Sequence, residues 1–181
     1  AATYGGLQPF GFFTHAVRGF FENGGRLCYV QLMTYEDGHA SDALAAGLEI
    51  LSQYDEYDLV CVPDLMWLPM RNSTVTPEQL VAMQAKIVDH CGQLADRFAI
   101  LDSLPQADTD DVLVQRHELH SQAAALYYPW IRVATGPSAT DRYVPPSGHV
   151  AGVIARTDRD LAYTRRRPTK CWRVRWIWRS S

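Results

Sequence analysis

Short apolar runs alternate along this chain with segments of helical periodicity, and that alternation restricts the fold more than any single motif does. Leu27 to Met33 is apolar and β-prone, Leu59-Val60-Cys61-Val62 is a continuous apolar run ended by Pro63-Asp64, and Arg97 to Leu101 is a third run ending at Asp102. Short continuous apolar runs suit strands that are covered on both faces. Strands separated by amphipathic helices imply parallel pairing through crossovers, since a tight turn cannot return a chain to a parallel neighbour. The expectation is an α/β fold: a three-layer domain with a mostly parallel sheet flanked by helices.

The helices carry their own punctuation. Thr14 to Phe21 reads as a helix stopped by Asn23-Gly24-Gly25, where glycine supplies the left-handed backbone that ends it. Ser41 or Asp42 can cap a helix running to about Gln53, with Leu44, Leu48 and Leu51 on one face. Thr76-Pro77-Glu78-Gln79 gives a cap, a first-turn proline and the Gln of a capping box. Leu80, Met83, Ile87, Cys91 and Leu94 then repeat at helical spacing as a buried stripe. Asp110 to Ala125 reads as a further helix and Leu126 to Val133 as a fourth strand. Pro146 and Ser147 open a last helix reaching about Asp158. Residues 66–75 read as a surface loop whose Trp67 and Met70 pack onto the core.

Composition narrows the functional classes. The 181 residues are 47% hydrophobic and 20% charged, ordinary values for a globular protein. No apolar run approaches the ~20 residues of a membrane helix, and no signal peptide opens the chain. A start at Ala1 without Met reads as a processed chain or one cut from something longer. Cys28, Cys61, Cys91 and Cys171 lie far apart; the first three sit in apolar segments and read as reduced core residues, with no spacing for zinc. Residues 161–181 hold seven of the 17 basic residues and no acid, which leaves the preceding body at a net charge of −10. An acidic body is a poor nucleic-acid binder.

Candidate chemistry is sparse. Asp64 and Asp102 both follow strands, and the carboxyl edge of a parallel sheet is the usual ligand edge. With Asp108, Asp110 and Asp111 they make a metal-dependent α/β enzyme the first alternative function, against a plainer role for Asp in ending strands and capping helices. Ser147 and His149 are too close along one helix start to pair as nucleophile and base, and Gly148 and Gly152 read as sites of close backbone packing. Cys91 lies on the buried stripe and His90 is expected to point elsewhere. No phosphate-binding glycine loop occurs. Tyr127, Tyr128 and Trp130 surround Pro129, and a proline in a strand marks an edge or bulge that wants covering.

These pieces, taken together, resemble the core of contractile phage-type tail sheath proteins. The similarity spans most of residues 11–160. It runs through Asn23-Gly24-Gly25, the strand from Arg26 to Val30, Leu59 to Pro63, the His90-Cys91 helix and Asp96 to Asp102. Its specific parts are Ala125-Leu126-Tyr127-Tyr128-Pro129-Trp130 and Val144-Pro145-Pro146-Ser147-Gly148-His149-Val150-Ala151-Gly152. The resemblance implies a structural subunit with no catalytic residue and no cofactor. Its partners would be further sheath subunits in stacked rings and an inner tail tube protein, with neither nucleic-acid binding nor direct membrane insertion. Terminal arms would add strands to neighbouring sheets. It places the protein in the bacterial cytoplasm during assembly and in a virion tail or injection machine afterwards.

The similarity stops after Asp160, so the expected domains are a core over 1–160 and a basic Arg/Trp tail over 161–181 that is not native to the family. The family continues with a Gly-Val-aromatic-Lys-Ala-Pro-Ala-Asn motif. Here, the third base of each codon joined to the first two of the next permits the string GVHKAPANEVLEGAVDLEV, although the single codon of Trp172, Trp176 and Trp178 restricts the choice. The expectation is a one- or two-base slip near codon 160 that leaves a truncated chain impaired in assembly. As it stands, Trp172, Val174, Trp176 and Trp178 alternate with Arg173, Arg175 and Arg179 as an amphipathic strand. A lipid- or nucleic-acid-binding module acting through 165–179 is the second alternative function.

Overall fold

Five parallel strands in the order β1-β7-β2-β3-β4 make the central sheet of the computed structural model, which describes residues 11–34, 38–72, 74–134, 141–165 and 174–179. The strands are β1 (Cys28–Met33), β2 (Leu59–Cys61), β3 (Phe98–Asp102), β4 (Ala124–Tyr127) and β7 (Val174–Arg179). Side chains of consecutive strand residues leave on opposite faces, so each strand feeds two cores. Val60, Ala99 and Leu101 join α2 (Ala40–Ser52) and α4 (Pro77–Leu94) on one face. Leu59, Cys61, Ile100 and Val174 join α1 (Phe13–Glu22) and α6 (Ser147–Arg165) on the other. The fold is the three-layer α/β arrangement expected.

Local signals explain most boundaries. Gly24 has φ +101° just after α1, the left-handed conformation expected of the Asn23-Gly24-Gly25 stop. At α4 the Thr76 hydroxyl accepts the Gln79 amide at 3.3 Å and the Gln79 side chain accepts the Thr76 amide at 3.0 Å. Leu80, Met83, Ile87 and Cys91 are buried along it. Asp108 caps α5 (Thr109–Glu118) by accepting the Asp110 and Asp111 amides, so the acidic run there is a helix start. Cys61 and Cys91 are buried free thiols; burial lifts the first far above its usual range and the second to about 12, so both stay protonated.

Five expectations need correction. The 66–75 segment is not all surface loop: a 3-10 turn (Pro63–Trp67) leads into α3 (Leu68–Arg71), burying Leu65, Met66 and Leu68, while Met70 is exposed. Trp67 does pack on the core. The cap of α2 is His39 without a side-chain bond, and the Ser41 hydroxyl instead accepts Lys86 Nζ at 2.8 Å. The α5 helix stops at Glu118, because Ala124 and Ala125 pair with Ala99 and Ile100. The run 126–133 is two strands in two sheets: β5 (Ile131–Val133) pairs antiparallel with β6 (Arg142–Val144). His90 does not point away; it is buried with its Nε2 3.4 Å from the Tyr57 hydroxyl.

Past residue 160, α6 continues to Arg165, and Val174–Arg179 pairs with β1 on one side and β2 on the other. Over Val174–Arg179 the alternating segment is a strand. Ser73 and the tail residues Arg166, Arg167, Lys170, Cys171, Trp172 and Arg173 lie outside the described residues. Among the described residues no helix is long and apolar enough to cross a membrane.

Candidate functional site

The carboxyl edge of β2 and β3 is where the chain's most distinctive residues meet. Asp102 ends β3 and is 3% exposed. Its Oδ1 accepts the Ser147 amide at 2.8 Å, so a strand-end carboxyl supplies the start of α6 from 45 residues away. Burial pushes the Asp102 carboxyl up to about 7, opposed by the Ser147 hydroxyl and amide. That hydroxyl is buried, and among the described residues it has no well-aligned hydrogen-bond partner. The Asp102 carbonyl accepts Gln84 Nε2 at 2.8 Å and Gln115 Nε2 at 3.2 Å, and Gln115 Nε2 also meets Gln84 Oε1 at 2.7 Å. One residue thereby ties α4, α5 and α6 to the sheet.

Asp64, just past β2, repeats the device for α1. Its Oδ1 accepts the Phe12 amide at 2.6 Å and the Phe13 amide at 2.9 Å. A helix start offers unpaired amides and a favourable dipole for such a carboxylate. Burial raises the Asp64 pKa, and the two amides and Arg142 pull it back. Both candidate catalytic carboxyls are therefore occupied in holding helices. Among the described residues no group of three His, Cys, Asp or Glu side chains could hold a metal ion.

The two helices so capped lie backbone to backbone. A Cβ at Gly148 would run into the Ala16 main chain, and one at Gly152 into the Phe20 carbonyl, with Asn23 Cβ at 2.9 Å. Ala151, between them, is wholly buried. The helix stop joins the same seam: Asn23 Nδ2 donates to the Gly19 carbonyl at 2.8 Å, and Arg159 Nη1 donates to the Gly24 carbonyl at 3.0 Å. Gly25 closes the turn through its amide, 2.9 Å from the Phe20 carbonyl. The Gly148 and Gly152 expectation holds. Ser147 and His149 do not pair: the His149 ring lies over Gly19, and its buried Nδ1 has no hydrogen-bond partner among the described residues.

The aromatic segment seals the opposite side. The Tyr127 carbonyl accepts the Ser103 amide at 3.1 Å, and Trp130 Nε1 donates to the Ser103 carbonyl at 3.0 Å. Tyr128-Pro129 is a cis peptide, and Tyr128 is exposed. Trp130 meets Phe12 edge-on at 5.1 Å, and Phe12 meets Trp67 edge-on at 5.6 Å. The Arg142 guanidinium lies 5.0 Å from the Phe12 ring centre and 5.3 Å from that of Trp67. Pro145 and Pro146 are buried where β6 turns into α6. Asn23, Gly24, Gly25, Ser147, Gly148, Ala151 and Gly152 thus lie along the α1–α6 seam, which Asp102 joins to β3, while Tyr127 packs on the same core and Trp130 on the other.

Sequence reasoning missed three participants. Phe12 and Arg142 stand outside any motif. Gln84 was accessible, since a polar residue between Leu80 and Ile87 on a buried stripe needs a partner. It also missed a buried cluster at the other end of β3, where Arg97 donates to the Leu51 carbonyl at 3.1 Å, the Tyr54 carbonyl at 3.0 Å, the Tyr57 hydroxyl and Asp96. Burial and Arg97 together keep the His90 pKa low. No family model matches the chain, and no curated protein matches it at a significant level.

Proposed function

We propose that this chain is a structural subunit of a contractile tail sheath, of a phage tail or a related injection machine. The observation that carries the reading is that both strand-end carboxyls are engaged in holding helix starts, while Asn23, Gly148, Ala151 and Gly152 of the family resemblance pack the α1–α6 seam. Asp64 and Asp102 hold helix starts, and Gly148 and Gly152 let two helices touch. A lattice subunit needs such rigidity and no reactive group. An enzyme built on the same carboxyls would have to release a helix to free either one.

Stacked rings of the subunit surround an inner tube and slide on contraction, driving the tube through an envelope. Two packings of one subunit, separated by a barrier, store the energy. Among the described residues β1 and β4 are the outer strands of the sheet, the positions at which a neighbour's arm would add, and β1 exposes Val30 and Leu32. The composition of β7 favours the slipped frame, while its pairing with both β1 and β2 counts against a tail foreign to the fold. A central parallel strand is normally a Val/Ile/Leu run, whereas this one reads VRWIWR. On this reading the chain as given assembles poorly, and its cellular setting is the bacterial cytoplasm, then the tail.

The test restores the shifted frame after codon 160, expresses the longer product and examines it by negative-stain electron microscopy. Stacked rings or hollow tubes are expected. A monodisperse monomer at every protein concentration would overturn the proposal.

A further inference from the structure

A groove separate from the helix junction opens between the first turn of α4, the 104–107 segment and one stripe of α5, with a volume of about 350 Å³. Its apolar lining includes Val81, Leu104 and Val114, and its charged lining is Glu78, Asp111 and Glu118, with no Lys, Arg or His among the lining residues. Asp111, Val114 and Glu118 recur every three or four residues, so they share one face of α5. None of the three carboxyls forms an ion pair among the described residues. Beside the groove α5 shows Leu113 and Val114 to solvent, at 55% and 61% exposed.

We propose that the α4–α5 groove docks a cationic peptide segment that alternates Lys or Arg with large apolar residues. The apolar side chains of such a segment would enter between Val81, Leu104 and Val114, and its cations would meet Glu78, Asp111 and Glu118. Charge complementarity selects this occupant. Nucleic acid and anionic lipid are disfavoured by three carboxylates with no cation among the lining residues, and a wholly apolar ligand would leave the acidic rim unanswered. The space matches the small end of the range for binding pockets and holds only one or two large side chains at a time. The groove floor is rigid, because Gln115 is held by Gln84, the Asp102 carbonyl and the Leu104 amide. This inference does not depend on the sheath reading.

The test titrates the full chain into a fluorescein-labelled peptide of about ten alternating Lys and Leu residues, read by anisotropy, with a Glu/Leu peptide as the charge-reversed control. Saturable binding of the cationic peptide alone is expected. The double variant V114K/E118K, altered at two exposed positions, should weaken it at least about tenfold, a loss of about 1.4 kcal/mol. E49K/E56K, outside the groove and larger in net charge change, should weaken it by less than about threefold. Equal losses in the two variants would mean diffuse attraction to an acidic protein and would overturn the proposal, as would no saturable binding. Should the groove variant fail to fold, amide shifts of the isotope-labelled wild type decide: movement centred on 104–118 supports the site, and movement centred elsewhere refutes it.

Discussion

The seam between α1 and α6 makes a prediction in which one substitution has opposite signs at two glycines. Gly92 lies in α4, exposed, and a Cβ there would find nothing within 4 Å. Gly92→Ala should therefore gain only the helix-propensity difference, about 0.5–1 kcal/mol. Gly152 would gain the same term, but its Cβ would overlap the Phe20 carbonyl and press on Asn23 Cβ at 2.9 Å. The obstacle is main chain, so no rotamer change relieves it, and α1 must withdraw by on the order of 1 Å. Overpacking of a close-packed seam costs about 1–3 kcal/mol, and an immovable backbone favours the upper end. Net destabilisation should be about 2 kcal/mol. The two variants then differ by about 3 kcal/mol, a quantity from which intrinsic propensity cancels. Equilibrium urea unfolding measures it directly. In thermal melts Gly152→Ala should fall by about 4–8 °C and Gly92→Ala should rise by about 2 °C. If Gly152→Ala were as stable as Gly92→Ala, the claim that the two glycines set the α1–α6 distance would be wrong.

The other predictions concern the groups around that seam. Asp102 titrates near 7 in the fold, above the ordinary carboxyl value of 3.8, so the folded state holds its proton more tightly; its contribution is full below about pH 4 and lost as pH rises to about 7. Burial lowers the pKa of His15, His90 and His149, which act in the opposite sense, so the wild type minus Asp102→Asn difference isolates the carboxyl. That difference should fall between pH 4.5 and 8 in urea titrations, and a constant value would refute the assignment. Asp64→Ala removes the cap on the Phe12 and Phe13 amides and should cost about 0.5–2 kcal/mol, with faster amide exchange confined to the start of α1. Arg97→Met should cost about 1–3 kcal/mol, because the Leu51 and Tyr54 carbonyls each lose a charged donor while the Leu51 carbonyl keeps the Tyr57 hydroxyl; a loss under about 0.5 kcal/mol would show that the cluster is dispensable. Millimolar Mg²⁺ should leave the melting temperature unchanged; a rise abolished by Asp64→Asn with Asp102→Asn would restore the metal-enzyme alternative.

How much of this was legible in the sequence depended on whether a signal was local. The Thr76 box, the Asn23-Gly24-Gly25 stop and the buried stripe of α4 are each specified within one element, and each was read correctly. The end of α5 was not, because residues 119–125 carry helix-forming alanines whose pairing with β3 overrides propensity. The loop read over 66–75 failed because Pro63 and Pro69 sit at first-turn helix positions, where proline is at ease. The β5–β6 pair joins two three-residue strands across a polar stretch without a two-residue turn motif, so nothing local announces it. For the junction, Gly148 and Gly152 were legible as packing sites from their spacing. The engagement of Asp64 with α1 and of Asp102 with α6 was not, since each joins residues about fifty positions apart and only the folded topology brings them together.

The sheath assignment is tested most directly by the nucleotide sequence from codon 150 through several hundred bases past codon 181. The account predicts that the shifted frame opens at codon 160 into GVHKAPANEVLEGAVDLEV and continues for a hundred or more residues of sheath-like sequence. Codons that do not spell that motif, or a shifted frame that soon meets stops, would contradict it and leave the Arg/Trp segment as the chain's own.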